Sequence, residues 1–169
     1  MNLFNKKKSW LIFLKSNSLI NQALFASVGG LIAIACIAFL AQYTQSPLIM
    51  GSFGASCVLI FGFPDSPFSQ PKNVIAGHLI SSFIGLFYLH IIGPEWWSMA
   101  LALATALGAM IISNTVHPPA GSNPIIIFLA GADWPFLFFP SSLGSIILVL
   151  IALLYINLSS SQHYPKSWS

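Results

Sequence analysis

Long apolar stretches separated by short polar connections dominate the chain. Four stretches are long enough for a helix of about 20 residues, which is the length that crosses a hydrocarbon core about 30 Å thick. These four predicted spans are Leu19 to Ala41, Val74 to Ile92, Trp96 to Ser113 and Phe136 to Ile156. The pattern predicts an all-α fold, that of a polytopic integral membrane protein in a lipid bilayer.

Two further apolar stretches, Pro47 to Gly62 and Pro119 to Gly131, are shorter and are broken by Pro, Gly and Ser. Each is either a thin, tilted span or a re-entrant segment that leaves the membrane on the side where it entered. If both short stretches cross the membrane, the chain has six membrane segments and every lysine lies on the cytoplasmic side. Four spans with two re-entrant segments would leave Lys72 outside, so the preference of lysine for the inside favours six.

The two halves of the chain resemble each other. Gly51-Ser52 recurs 70 residues later as Gly121-Ser122, and similar Gly, Asp and Pro residues follow each pair in the same order. This shared order predicts a duplicated unit of long helix, short broken helix and long helix, with repeat one at about 19–92 and repeat two at about 96–157. Transporters built from inverted repeats bring such broken helices together near the membrane midplane.

Composition restricts the class of protein further. Hydrophobic residues make up 56% of the chain and charged residues 5%, with a mean hydropathy of +0.84, which excludes a water-soluble fold and a basic nucleic-acid groove. The predicted organisation is a basic cytoplasmic N-terminal segment (1–18), a transmembrane domain (19–157) and a polar C-terminal tail (158–169). The cluster of Lys6, Lys7, Lys8 and Lys15 favours a cytoplasmic N-terminus.

The densest polar and helix-breaking run extends from Ser113 to Pro124. Its two consecutive prolines end one helix and open another, whose free N–H groups would attract an anion. Pro47 to Ser52 occupies the matching place in the first half. The predicted anion-binding residues of the two places are Gly51, Ser52, Asn114, His117, Gly121, Ser122 and Asn123. The alternative is that Pro and Gly only kink helices whose freed groups are satisfied by neighbouring helices.

Histidine and lysine side chains add candidate charges. His117 would titrate near neutral pH and is either a switchable charge or proton carrier for anion–proton symport, or a structural histidine bonded to loop carbonyls. His78 is a candidate lining residue of the pathway. Lys72 is either a solvated loop lysine or a positive charge that attracts anions to the mouth of the pathway, with Asp65 as its local partner.

The two cysteines, Cys36 and Cys57, lie in apolar runs, so we expect them to pack as small hydrophobic residues. We expect no metal and no cofactor.

These motifs resemble a known family. The run from Asn114 to Gly121 is similar to the HPP family of integral membrane proteins, together with four upstream segments: Gly54-Ala55-Ser56, Ser66-Pro67, Gln70 to Asn73 and Gly77-His78. The resemblance covers roughly residues 20–157 and implies a small membrane protein of bacteria and plastids, usually described with four spans, whose plant relatives are associated with nitrite transport. Six segments depart from that description. The family's motif residues carry over as His117, Pro118 and Pro119, without an established role for each, and Pro118, Pro119, Pro71 and Gly77 are predicted to be structural residues. Together with the lysine cluster, the resemblance implies a bacterial inner membrane protein.

The sequence therefore predicts a transporter or channel for a small inorganic anion, with nitrite favoured by the resemblance. We expect a homo-oligomer, with a dimer favoured, and no nucleic-acid partner. The alternative is a non-transporting structural or signalling subunit of a membrane complex. A membrane-embedded enzyme is disfavoured because the chain has no His-Glu-x-x-His or nucleophile-elbow motif, and because Asp65, Glu95 and Asp133 all fall in connections.

Overall fold

The computed structural model describes residues 3–158 and 163–168, with side chains from residue 18 onward. The described part is helical and contains no strand. Short 3₁₀ or π turns extend or connect the main helices at Pro67–Ser69, Tyr88–Ile92, Pro118–Ser122, Trp134–Leu137 and Phe138–Ser142. The main helices are α1 (Leu3–Thr44), α2 (Ser52–Gly62), α3 (Pro71–Phe87), α4 (Trp96–Ile112), α5 (Asn123–Ala130) and α6 (Leu143–Asn157).

The all-α membrane fold is confirmed, and the helices follow the predicted order of long, short and long in each half. Three helical segments are long and apolar enough to cross a membrane: Ser18–Thr44, Pro71–Ile92 and Trp134–Asn157. The stretch from Trp96 to Ser113, which was predicted as a fourth span, forms α4 of 17 residues. At 1.5 Å per residue it is about 26 Å long, at the lower end of the lengths that cross a hydrocarbon core.

The predicted N-terminal segment of residues 1–18 has no boundary with the first span, because α1 begins at Leu3 and continues to Thr44. The side chains of Lys6, Lys7, Lys8 and Lys15 lie outside the described residues. Residues 159–162 and 169 of the predicted tail also lie outside them.

Contacts between helix ends show that the chain passes six times between the two ends of the bundle. One end of the bundle, here called the near end, contains the start of α3. At this end Gln22 of α1 donates a hydrogen bond to the Gly62 carbonyl of α2 over 3.1 Å, and the Asn73 amide of α3 donates to the Val116 carbonyl after α4 over 3.0 Å. At the opposite end, here called the far end, the His90 Nε2 lies 3.0 Å from the carbonyl oxygen of Ala132, a residue that follows α5. Both short segments therefore connect the two ends, in the arrangement expected for six membrane segments.

The two short helices begin in the middle of the bundle. Ser52 is ten positions from the near-end residue Gly62, so α2 starts about 15 Å from that end. Asn123 opens α5 beside His78 and Ser82 of α3, which are about 10 to 17 Å along α3 from its start at Pro71. From this level α2 runs to the near end and α5 runs to the far end.

Packing explains why the short helices are held there. The buried core joins α1, α2 and α6 through Ile37, Phe53, Ile60, Leu148 and Ile156, all with 0% exposure. On α3, a Cβ built at Gly85 would lie 2.9 Å from the Pro124 Cα, and Ser81 donates a hydrogen bond to the Ala120 carbonyl over 2.6 Å. The small residues of α3 therefore serve helix packing within the protomer, which allows α5 to approach closely.

The C-terminal residues fold back over the near end. The Tyr164 hydroxyl donates to the Ser69 carbonyl over 2.8 Å, and the Gln70 Oε1 accepts the Lys166 N–H over 2.8 Å. Tyr164 is 1% exposed, and this burial raises the pKa of its phenol above the ordinary value. The tail thus closes on the turn that leads into α3.

Candidate functional site

A buried polar cluster is centred on Ser56, which lies one turn into α2. The Ser56 Oγ is 2.8 Å from the His117 Nε2 and 3.1 Å from the His78 Nε2. All three residues have 0% exposure, and the two imidazole rings meet edge to face with centroids 5.1 Å apart. The cluster therefore joins the serine of α2, a histidine of α3 and the histidine of the His-Pro-Pro motif.

The partners of the outer ring nitrogens determine the direction of these hydrogen bonds. The His117 Nδ1 faces the Phe68 carbonyl at 2.7 Å, and because a carbonyl only accepts, this nitrogen carries the proton. In a neutral ring its Nε2 then accepts the Ser56 hydroxyl proton. The His78 Nδ1 accepts from the Asn123 amide over 3.0 Å, so its Nε2–H donates to Ser56.

The amide of Asn123 connects this cluster to a second group of hydroxyls. Its Nδ2 also donates to the Ser82 Oγ over 2.9 Å, and Ser82 lies 2.8 Å from the Ser141 Oγ. Ser141 donates to the His78 carbonyl over 3.0 Å. Residues of α3, α5 and the turn before α6 are therefore joined by neutral hydrogen bonds in the middle of the bundle.

Two polar atoms at this level have no hydrogen-bond partner among the described residues. They are the Ser52 Oγ and the Asn123 Oδ1, which belong to the first residues of α2 and α5. Ser52 is 3% exposed and Asn123 0% exposed. Because a buried polar atom without a partner is costly, these two atoms are the ones that a small polar ligand would satisfy.

Close packing holds the motif histidine in place. A Cβ built at Gly77 would lie 2.8 Å from the His117 Cβ and 3.1 Å from the Thr115 carbonyl oxygen. Pro118 and Pro119 begin a 3₁₀ turn of five residues, and Pro71 occupies the first turn of α3. The small residue on α3 and the prolines that limit each helix thus position the ring of His117 against Ser56.

The helix start at the second break differs from the prediction. Pro119 was expected to open the new helix, but the prolines form the 3₁₀ turn, and α5 begins at Asn123. The physical reason is that Pro124 occupies the first turn of α5, where its missing N–H is not needed. Likewise α2 begins at Ser52, five residues after Pro47.

The predicted binding residues fall into two groups. Ser52, His78, His117 and Asn123 belong to or adjoin the buried cluster, as described above. Gly51 is exposed and Gly121 half-buried, and a Cβ built at either position meets no atom within 4 Å. Ser122 is half-buried, donates to the Pro119 carbonyl over 2.8 Å and lines a groove with Ala55 and Val58.

Two predicted residues lie at the near end instead. Asn114 is exposed and, with Asp65, Gln70 and Asn73, lines a cavity of about 280 Å³ at this end. Lys72 is half-buried in the first turn of α3. The expected pairing of Lys72 with Asp65 is wrong, because Asp65 lies 3.2 Å from the Lys166 Nζ, which the folded-back tail brings to it.

Three serines of the site, Ser56, Ser82 and Ser141, were not among the predicted site residues. Ser52 and Ser56 are four positions apart in an apolar helix, and this spacing puts them on one face. That polar stripe and the Gly54-Ala55-Ser56 segment of the family resemblance were the available signals for Ser56. No comparable local pattern connects Ser82 with Ser141, which are 59 positions apart.

Comparison with known proteins places the chain in a family. Residues 15–165 match the HPP transmembrane region. Two proteins of Dictyostelium discoideum, both named only as transmembrane proteins, are 35% identical over 156 residues and 33% identical over 134 residues. These alignments cover 85% and 73% of this chain but 53% and 42% of the relatives, so the chain spans about half the length of the proteins it matches. No solved structure matches the chain. Over almost its whole length, this chain belongs to the HPP family of transmembrane proteins.

Proposed function

We propose that the protein is a membrane transporter or channel for a small inorganic anion, with nitrite as the favoured substrate. One observation carries the proposal. The first residue of α2, Ser52, lies buried in the middle of the bundle, and its hydroxyl, which can donate, has no hydrogen-bond partner among the described residues.

The start of a helix suits an anion because the aligned backbone dipoles place partial positive charge there. In α2 the first N–H groups already donate, Phe53 to the Met50 carbonyl over 3.1 Å and Gly54 to the Gly51 carbonyl over 3.2 Å, so the backbone contributes its dipole and not free donors. The Ser52 hydroxyl can add a neutral donor. The Asn123 Oδ1 is an acceptor and does not bind an anion itself, because the NH₂ group of this side chain is already engaged with the His78 Nδ1 and the Ser82 Oγ. An anion held by neutral donors and helix ends is not bound by a full opposite charge, so it can also be released, as transport requires.

A flux assay tests the proposal directly. Purified protein in liposomes should take up nitrite above the level of protein-free liposomes, and Ser52→Ala should reduce that uptake about tenfold, the effect of losing roughly 1.4 kcal/mol of binding. Asn123→Ala should reduce it as well. Ser98→Ala is the matched control, since Ser98 is a buried serine that bonds to the Tyr88 carbonyl, away from the cluster. Equal flux in wild type and protein-free liposomes would reject nitrite transport.

We further propose that the protein is not an enzyme and lies in a bacterial inner membrane, with the near end and the N-terminus facing the cytoplasm.

We also propose that the protein forms a homo-oligomer, with a dimer favoured. Ala100 and Ala104 on α4 are exposed and Gly108 is half-buried, so this small-residue stripe is available to a second copy. Light scattering of the detergent-solubilised protein, corrected for bound detergent, measures the mass: twice that of the chain supports the dimer, and a single copy contradicts it.

A further inference from the structure

We propose that the transported anion moves together with one proton, which binds to the cluster of Ser56, His78 and His117. This inference rests on the proposed transport function and names its coupling ion. It stands on the geometry of the Ser56 hydroxyl, which has three hydrogen-bond partners for its single proton.

The cluster has a complete set of hydrogen bonds when both histidines are neutral. The Ser56 hydroxyl then donates to the His117 Nε2 over 2.8 Å and accepts from the His78 Nε2–H over 3.1 Å. The outer nitrogens are also satisfied, because the His117 Nδ1–H donates to the Phe68 carbonyl and the His78 Nδ1 accepts from the Asn123 amide.

The cluster also has a complete set when it holds one additional proton on the His117 Nε2. That N–H then donates to the Ser56 Oγ, which accepts from both histidines through its two lone pairs. The Ser56 hydroxyl proton turns to the Ser52 carbonyl, which already lies 3.2 Å from the Ser56 Oγ. When a proton is added to the His117 Nε2, the cluster therefore needs only one rotation of the Ser56 hydroxyl to satisfy its hydrogen bonds, and no other side chain has to move.

The neighbours of His117 leave this additional charge without a permanent counterion. The groups that face it are Ser56 from α2, His78 from α3 and the Phe68 carbonyl from the turn before α3.

The three acidic residues of the chain, Asp65, Glu95 and Asp133, all have exposed side chains. Asp65 forms an ion pair with Lys166, and Asp133 lies beside His90.

An anion at the start of α2 supplies the missing negative charge. Ser52 precedes Ser56 by four positions, which is a rise of about 6 Å along the helix, so an anion at Ser52 lies close to the protonated His117. The two charges attract each other more strongly in this buried site than in water, because the effective dielectric constant is lower there. The anion and the proton therefore bind together. The proton is taken from water on one side with the anion and returned to water on the other, so the cycle consumes no group and moves no net charge.

Proteoliposomes with nitrite as the probe and a pH-sensitive dye inside test this coupling. At one proton per nitrite, an inward gradient of one pH unit should drive about tenfold nitrite accumulation. Clamping the membrane potential with valinomycin and potassium should not change the extent. His117→Gln and Ser56→Ala should reduce the initial rates of nitrite accumulation and proton uptake to those of protein-free liposomes, while Ser56→Thr, which keeps a hydroxyl, should retain the faster rates.

His90→Gln is the control, because His90 is an exposed histidine at the far end. Protein-free liposomes give the passive entry of nitrous acid. A measurement on the wild type alone avoids dependence on folding of the variants: in ¹⁵N-histidine NMR spectra at constant pH, added nitrite should increase the doubly protonated imidazole signal. Nitrite flux without proton uptake, or an unchanged imidazole signal, overturns the coupling and leaves the proposed function standing. Absence of protein-dependent nitrite flux removes both.

Discussion

The Ser56 Oγ lies 2.8 Å from the His117 Nε2, although 61 positions separate the two residues in the chain. The contact forms because α2 begins in the middle of the bundle and the turn before α5 brings the His-Pro-Pro motif to the same level. It connects the two broken segments directly. The breaks in the two halves therefore serve one buried polar centre.

Replacing Ser52 by Ala should separate function from stability. The Ser52 Oγ is buried without a partner, so its removal should stabilise the fold by about 1 kcal/mol while it lowers nitrite flux. Thermal unfolding in detergent, compared with flux in liposomes, measures both effects. Ser98→Ala, which loses a bonded hydroxyl, should not raise the midpoint. A lower midpoint for Ser52→Ala would mean that Ser52 is structural.

Gly77→Ala should destabilise the protein by about 1 to 3 kcal/mol, because the added methyl group would overlap the His117 Cβ at 2.8 Å. Gly108→Ala is the matched control in another helix, since a Cβ at that position meets no atom within 4 Å. Unfolding midpoints of the two variants give the comparison. Equal midpoints would show that α3 and the His-Pro-Pro turn can separate without cost.

The folded-back tail should depend on Gln70. Its Oε1 accepts N–H groups of Lys166 at 2.8 Å and Ser167 at 3.2 Å, so Gln70→Ala should speed amide exchange at these two positions. Hydrogen exchange read by mass spectrometry reports the change. Lys166→Ala, which removes only the exposed ion pair with Asp65, should leave the exchange nearly unchanged. Slow exchange in both variants would show that other contacts hold the tail.

Membrane topology gives a further test. Single cysteines introduced at Lys72 and Asn114 in a background without native cysteines should react with an impermeant thiol reagent from the side of the C-terminus. Cysteines at Glu95 and Asp133 should react from the opposite side. This follows because α2 and α5 each carry the chain between the ends of the bundle. Labelling of position 72 from the side opposite the C-terminus, with Glu95 labelled from the side of the C-terminus, would instead establish four spans with re-entrant segments.

The family and the class of protein could be predicted from the sequence alone, because apolar length, proline positions and a contiguous motif are local properties. Hydrophobic stretches located the six segments, and the prolines located the two breaks. The exact helix starts at Ser52 and Asn123 required the structure, since several neighbouring residues can begin a helix after a proline.

By itself the sequence determined that the chain resides in lipid, that its helices break twice and that His117 is a candidate titratable group. Only the tertiary structure decided which polar groups meet. His78 reaches Ser56 across 22 positions and Asn123 reaches His78 across 45, while Asp65 pairs with Lys166 instead of the nearer Lys72. These pairings depend on how helices pack side by side, and hydrophobic pattern along one helix carries no information about the polar group that a distant helix presents to it.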